Sequence, residues 1–290
     1  MIRAILHGLI LAPLFYLQVT INGVPNQAAT STTVNGVANQ AVSTNTINGV
    51  ANQSISIGPT CTLPTLTSDW LVANSSNRCG VSGASSCTTS GQTMYSIADS
   101  ISSNTASSGV GPSYELAQIN SLPAALYGSN QYLTLGTAIP SSTTSYSFFA
   151  VVDRTSNSTN TAIVLNGPSS GGLEWRINTS QHQDLLSGQT ADLAGDTTTY
   201  ALNTYYTLAL TYTPGSGAYA FYKCSGGTCS VTASGTATTT FSSGVNGLGG
   251  GSTYFEPWVG NIAEWGFYSG TFNSTQLTAL GAYSSCKYGI

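Results

Sequence analysis

Residues 122–154 read LPAALYGSNQYLTLGTAIPSSTTSYSFFAVVDR, and their two halves carry different periodicities. The first half alternates around Gly-Ser-Asn, which nominates Leu126, Tyr132, Leu133 and Leu135 as core positions. The second contains SYSFFAVVDR, a short apolar run bounded by polar loops, as expected of a strand buried inside a sandwich. The same grammar recurs downstream in TAIVLNG, GLEWRIN, TYYTLALTYT, AYAFYKC and GNIAEWGFYSG. Strands at this regular spacing predict an all-β, antiparallel two-sheet sandwich. A helix signal appears in NSTQLTALGAYSSCKYG, where Asn273 or Ser274 can cap a short C-terminal helix with Leu277 and Leu280 on one face.

Composition narrows the class further. The chain has 290 residues, of which 41% are hydrophobic and only 6% charged, so solubility rests on Ser, Thr, Asn, Gln and Gly. Six Lys and Arg in total give no basic footprint for nucleic acid. An uncharged, hydroxyl-rich surface tolerates variable pH and salt, which suits a protein outside the cell.

Six cysteines allow 15 pairings. Cys224 and Cys229 bracket a hairpin-like SGGT, Cys79 and Cys87 bracket a Gly- and Ser-rich loop, and Cys61 and Cys286 remain. Those three bridges are expected, placing the chain in an oxidising compartment or on an extracellular particle. Free buried thiols are the alternative.

Three segments are expected. Residues 1–18 form an apolar leader, either a signal sequence or a retained anchor. Residues 19–57 carry NGVPNQ, NGVANQ and NGVANQ, starting at Asn22, Asn35 and Asn48, and residues 58–290 form the large domain. Asn-Gly favours a two-residue hairpin turn, so each repeat reads as strand, turn and return, with Val34 and Ile47 on one apolar stripe. Such small units bury too little to fold alone, so association with copies of the chain or with other surface proteins is expected. A flexible linker is the alternative.

LPAALYGSNQYLTL followed by SYSFFAVVDR resembles the opening of laminin-G-like jelly rolls in the concanavalin A-like lectin and glucanase superfamily. WVGNIAEWGFYSGTFNSTQLTALGAYSSCKYGI resembles that branch's closing phrase, so the likeness spans residues 70–290. It implies a jelly roll whose ends lie close together, which would fit a bridge between Cys61 and Cys286. The chain departs from the pattern at Tyr127 and has no acidic residue in GSNQY, which removes a family contribution to calcium binding there.

The superfamily holds both binding modules and glycosidases, so residues must decide between them. Glycosidase chemistry needs two carboxylates, supplied in the glucanase branch by acids two apart on one strand. None of the ten carboxylates here lies two residues from another. A cross-strand pair such as Glu174 with Glu264 is the catalytic alternative. Asp192 and Asp196 are weak calcium candidates, and no cofactor is otherwise expected. Sugar binding needs aromatic faces with amides and hydroxyls. Trp258 is the expected exposed platform, with Tyr254, Trp175, Arg176, Asn246 and Asn261 in support. Trp265 and Phe267, two apart, are expected to fill the core instead. The sequence therefore predicts a non-enzymatic glycan-binding protein, extracellular or on a virion fibre, spike or capsid decoration. A secreted bacterial adhesin and a glycoside hydrolase are the alternatives.

Overall fold

The computed structural model describes residues 61–290 except 81–82, 109, 136–143, 167–171, 188–190, 238–245 and 251–255, together with six short strands between residues 20 and 51. The chain divides into two compact units, Met1–Thr60 and Cys61–Ile290.

In the first unit, β1 (Thr20–Ile21) pairs with β2 (Val24–Pro25), β3 (Thr33–Val34) with β4 (Val37–Ala38), and β5 (Thr46–Ile47) with β6 (Val50–Ala51). Each pair is antiparallel with two residues between the strands, the spacing Asn-Gly turns favour. Asn22, Asn35 and Asn48 lie outside the described residues, as do the side chains of Val34 and Ile47 and the apolar leader.

The second unit is an antiparallel sandwich with eighteen strands among the described residues. They are β7 (Ser68–Leu71), β8 (Arg78–Cys79), β9 (Ser85–Ser86), β10 (Gln92–Ile97), β11 (Ala106–Ser107), β12 (Ser113–Ile119), β13 (Leu122–Tyr127), β14 (Leu133–Leu135) and β15 (Tyr146–Arg154), followed by β16 (Thr161–Asn166), β17 (Leu173–Ile177), β18 (Gln183–Ser187), β19 (Ala191–Gly195), β20 (Tyr205–Thr213), β21 (Ala218–Ser225), β22 (Thr228–Thr236), β23 (Asn246–Leu248) and β24 (Gly260–Tyr268). The first sheet runs β22, β21, β20, β15, β24, with β7 and β13 sharing the far edge of β24 and β12 beyond β13. The second runs β9, β8, β10, β11, β14, β23, β16, β17, β18, β19. β10 joins them, because its first two residues pair with β12 and the rest with β8 and β11.

The run SYSFFAVVDR is apolar throughout because β15 is buried on both faces. Phe148, Ala150 and Val152 enter the core between the sheets, where they meet Trp175, Leu208, Leu210, Trp258, Trp265 and Phe267. Phe149 and Val151 face the other way, into a second core with Leu280, Tyr283 and Tyr288 of the helix α1 (Ser274–Tyr288). Tyr127 fills a core place, its ring edge-on to Trp265 at 6.0 Å. Leu133 and Leu135 are buried as the alternation requires, whereas Leu126 faces outward and is 36% exposed. Tyr132 is half-buried.

Asn273 caps α1, its side chain accepting from Gln276 N at 2.9 Å while Gln276 Oε1 accepts from Asn273 N at 3.0 Å. The helix approaches the β21–β22 turn so closely that a Cβ on Gly281 would stand 2.7 Å from Gly227 O. The disulfides are Cys61–Cys286, Cys79–Cys87 and Cys224–Cys229, the three expected pairs. The first ties α1 to the start of the sandwich. The third links directly opposed residues of β21 and β22.

Candidate functional site

The expected aromatic platform is not at the surface. Trp258 is fully buried, because its N–H donates to Gly249 O at 2.8 Å and carries the side chain into the core just before β24 begins. Trp175 is likewise buried, and its indole N–H donates to Gln183 Oε1 at 3.1 Å. Tyr254 lies outside the described residues, and of Asn246 only the backbone, paired with Asn166, is described. Asn261 is buried opposite Asp153 and donates to Asp153 Oδ2 at 3.2 Å.

Asp196 is drawn into a buried network and is not a solvated loop residue. It accepts from Gln183 N at 3.0 Å, Tyr200 OH at 2.6 Å and Thr232 Oγ1 at 2.8 Å, and so fastens the edge of the second sheet to β22. Both Asp196 oxygens thus accept donors of the fold, and the side chain of Asp192 lies outside the described residues. Among the described residues no group of three or more His, Cys, Asp and Glu is placed to hold a metal ion.

Arg176 leads to a polar cluster. Leu173, Trp175 and Ile177 of β17 enter the core, so the two-residue period sends Glu174 and Arg176 out of the opposite face of the second sheet. Asp184 is the register partner of Arg176 on β18, and its Oδ2 lies 3.5 Å from Arg176 Nε. Arg176 Nη1 donates to both oxygens of Glu256, at 3.0 and 2.9 Å, and stands 3.9 Å from Glu174 Oε1. Asn178 Nδ2 donates to Asp184 Oδ2 at 2.8 Å, and Asn160 Nδ2 reaches Glu256 Oε1 at 3.4 Å. Glu174 is 1% exposed, while Asn160, Asn178, His182 and Glu256 are half-buried and form the rim.

Among the described residues, no N–H or O–H donates to either oxygen of Glu174. Its neighbour is a second carboxyl, Glu256, and two carboxyls attract only with a proton held between them. Burial, and then contact with Glu256, push the Glu174 carboxyl up. Burial acts the same way on Glu256, but the hydrogen bond from Glu174 and the Arg176 guanidinium outweigh it and hold Glu256 below its ordinary range.

A second carboxyl pair lies beneath α1. A bulge in β24 at Ala263 turns Glu264 onto the outer face of the first sheet, where it is fully buried. Tyr283 OH donates to Glu264 Oε1 at 2.7 Å, Tyr288 OH to Oε2 at 2.5 Å, and Lys287 Nζ lies 3.4 Å from Oε1. Glu264 is thus satisfied by side chains of the helix. Asp69 lies beside it on β7 and accepts from Ser100 Oγ at 2.5 Å. Burial, with the negative charge of Glu264 next, pushes the Asp69 carboxyl up to about 8. Glu174 and Glu264 therefore belong to different sheets and different clusters, which removes the cross-strand pair considered above.

No protein-family model matches the sequence, and no curated protein matches it. Among solved structures, the chain is similar to domain 4 of AbnA, a GH43 extracellular arabinanase from Geobacillus stearothermophilus in complex with arabinotriose. There the TM-score is 0.53 at 18% identity, with 76% of this chain and 100% of that one covered. It is also similar to Trypanosoma rangeli sialidase in complex with sialic acid, with a TM-score of 0.51 at 12% identity over 78% of this chain and 34% of that one. At these identities the likeness shows the fold, a β-sandwich of the type found in carbohydrate-binding and glycosidase-associated domains.

Of the cluster, sequence reasoning had named only Arg176 as a binding residue. Glu174 and Arg176 two apart on a strand with Trp175 between them were a usable sign of a charged outer face. Glu256, beside Pro257 in a Gly-rich stretch, gave no such sign.

Proposed function

We propose that this is a non-enzymatic, surface-displayed carbohydrate-recognition protein whose sandwich is a laminin-G-like head of the concanavalin A-like superfamily. The observation that carries this reading is the rim of Asn160, Asn178 and Glu256 over Glu174, a carboxyl with no donor among the described residues. Amides donate to sugar oxygens and carboxyl oxygens accept from sugar hydroxyls, so the site can hold a glycan without making or breaking a bond. That arabinotriose is bound in the AbnA domain supports a glycan partner. No cofactor takes part.

Three disulfides favour work outside the cell. The apolar leader and the paired repeats favour display on a virion fibre, spike or capsid decoration, with residues 1–57 meeting copies of the chain or other virion proteins. A secreted bacterial adhesin would use the same head. Sedimentation velocity of the full chain is expected to give an oligomer that Val34→Asp with Ile47→Asp dissociates. A monomeric wild type would end the assembly role.

The binding site is tested on a glycan array. Wild type is expected to bind, Asn160→Ala to lose most of the signal, and both to melt alike. Equal signals from the two proteins would exclude this rim. Glycoside hydrolysis is favoured by one observation, the opposite displacement of the Glu174 and Glu256 carboxyls, which is how acid and base roles separate. Against it, carboxyls in direct contact leave no room for a glycosidic bond, which in retaining enzymes needs them about 5 Å apart. Release of reducing ends from any array polysaccharide would establish hydrolysis.

A further inference from the structure

We infer that the saccharide recognised at the Arg176 cluster carries no acidic group. This rests on the recognition reading above and goes further by naming the ligand class. Acidic sugars and their sulfated or phosphorylated relatives are held by a guanidinium or ammonium free to turn toward the ligand. The folded unit has five cationic side chains, Arg78, Arg154, Arg176, Lys223 and Lys287, and each can be followed to its partners.

Arg154 is buried and donates through Nη1 to Asn178 O at 2.5 Å and through Nη2 to Thr159 O. Lys287 is held by Glu264 under α1. Lys223 lies over the Tyr206 ring, 4.7 Å from its centroid. Arg78 donates to Ser86 Oγ at 3.0 Å on the β8–β9 hairpin, and five strands separate β8 from β17 in sheet order.

Arg176, at the site itself, is enclosed by carboxylates. Both oxygens of Glu256 accept from Nη1, Asp184 lies 3.5 Å from Nε, and Glu174 lies 3.9 Å from Nη1. Even with one proton shared between Glu174 and Glu256, these four groups hold one negative charge in excess. An incoming carboxylate would have to displace Glu256 from Arg176 and then sit among like charges. A neutral sugar meets no such barrier. Its hydroxyls can donate to Glu174 and Glu256 and accept from the half-buried amides.

The test uses the full chain and ligand pairs in which one member is neutral and the other acidic. Glycan-array hits that are neutral oligosaccharides are titrated calorimetrically beside their acidic counterparts, with lactose against sialyllactose and galactan fragments against oligogalacturonate as fixed pairs. The neutral member of each binding pair is expected to be favoured by about tenfold or more, with the gap narrowing as salt screens the repulsion. Equal or tighter binding of an acidic member, or affinity for it that falls as salt rises, would overturn the inference and leave the recognition reading standing. Silence across neutral and acidic ligands alike would overturn the recognition reading and take this inference with it.

Discussion

The two carboxyl pairs differ in what surrounds them, and that difference separates a structural acid from the one proposed to bind. Glu264 beside Asp69 is sealed beneath α1 and receives two tyrosine hydroxyls, with a lysine close by. Glu174 beside Glu256 receives no hydrogen bond from a donor among the described residues, and its partner reaches a rim of half-buried amides. Both pairs cost desolvation. In the first, donors from the fold offset that cost for both acids; in the second, Arg176 and Asn160 offset it for Glu256, while no described donor offsets it for Glu174.

The contrast can be broken first at Glu264. Glu264→Ala leaves Tyr283, Tyr288 and Lys287 without their acceptor beneath the helix, and is expected to cost about 3–5 kcal/mol in urea or guanidinium unfolding. A loss under about 1 kcal/mol would show that the helix does not depend on this acid. The pH profile gives the next largest effect. Asp69 holds its proton to about pH 8 when folded but releases it near 3.8 when unfolded. The folded state binds the extra proton between those values, so this stabilisation is full below 3.8, declines as pH rises and is gone above about 8. The slope for one proton is about 1.4 kcal/mol per pH unit, and Asp69→Asn is expected to flatten it. A profile that rises with pH across this range would contradict the shared proton.

A smaller effect is expected at the contact between helix and hairpin. Gly281→Ala places a Cβ 2.7 Å from Gly227 O and Thr228 Cα, both backbone atoms, and is expected to cost about 1–3 kcal/mol. The smallest change in stability belongs to the other pair. Glu174→Gln replaces a carboxyl that already shares a proton, so unfolding is expected to move by about 1 kcal/mol or less. Glycan affinity should nevertheless fall in Glu174→Leu, which can neither donate to Glu256 nor accept from a sugar hydroxyl, whereas the Gln amide can do both. A large stability loss with unchanged affinity would reverse the assignment of the two pairs.

The fold was legible wherever periodicity and chemistry agreed. β15 and β24 announced themselves as apolar runs, α1 through Asn273 and the face bearing Leu280, two of the bridges through the short loops they close, and the third through the two cysteines that remained. Leu126 was misread because the phase of the alternation was taken one residue off: Ala125 and Tyr127 of β13 face the inner core, which leaves Leu126 on the opposite face and exposed. Trp258 was misread for a different reason. A tryptophan after Glu-Pro in a turn-rich stretch looks exposed, but the backbone bond to Gly249 returns it to the core. The binding cluster was the least legible part, since Glu174, Asp184 and Glu256 come from three separate stretches that only the register of β17 with β18 and the approach of Glu256 bring together.

The account turns on which pair meets a ligand, and amide chemical-shift mapping of the full chain during titration with a bound neutral oligosaccharide tests that directly. The predicted result is a set of perturbed amides centred on Asn160, Asn178, His182 and Glu256, with those of Asp69, Glu264 and α1 unmoved. Perturbations centred on α1, or on a surface remote from Arg176, would contradict it.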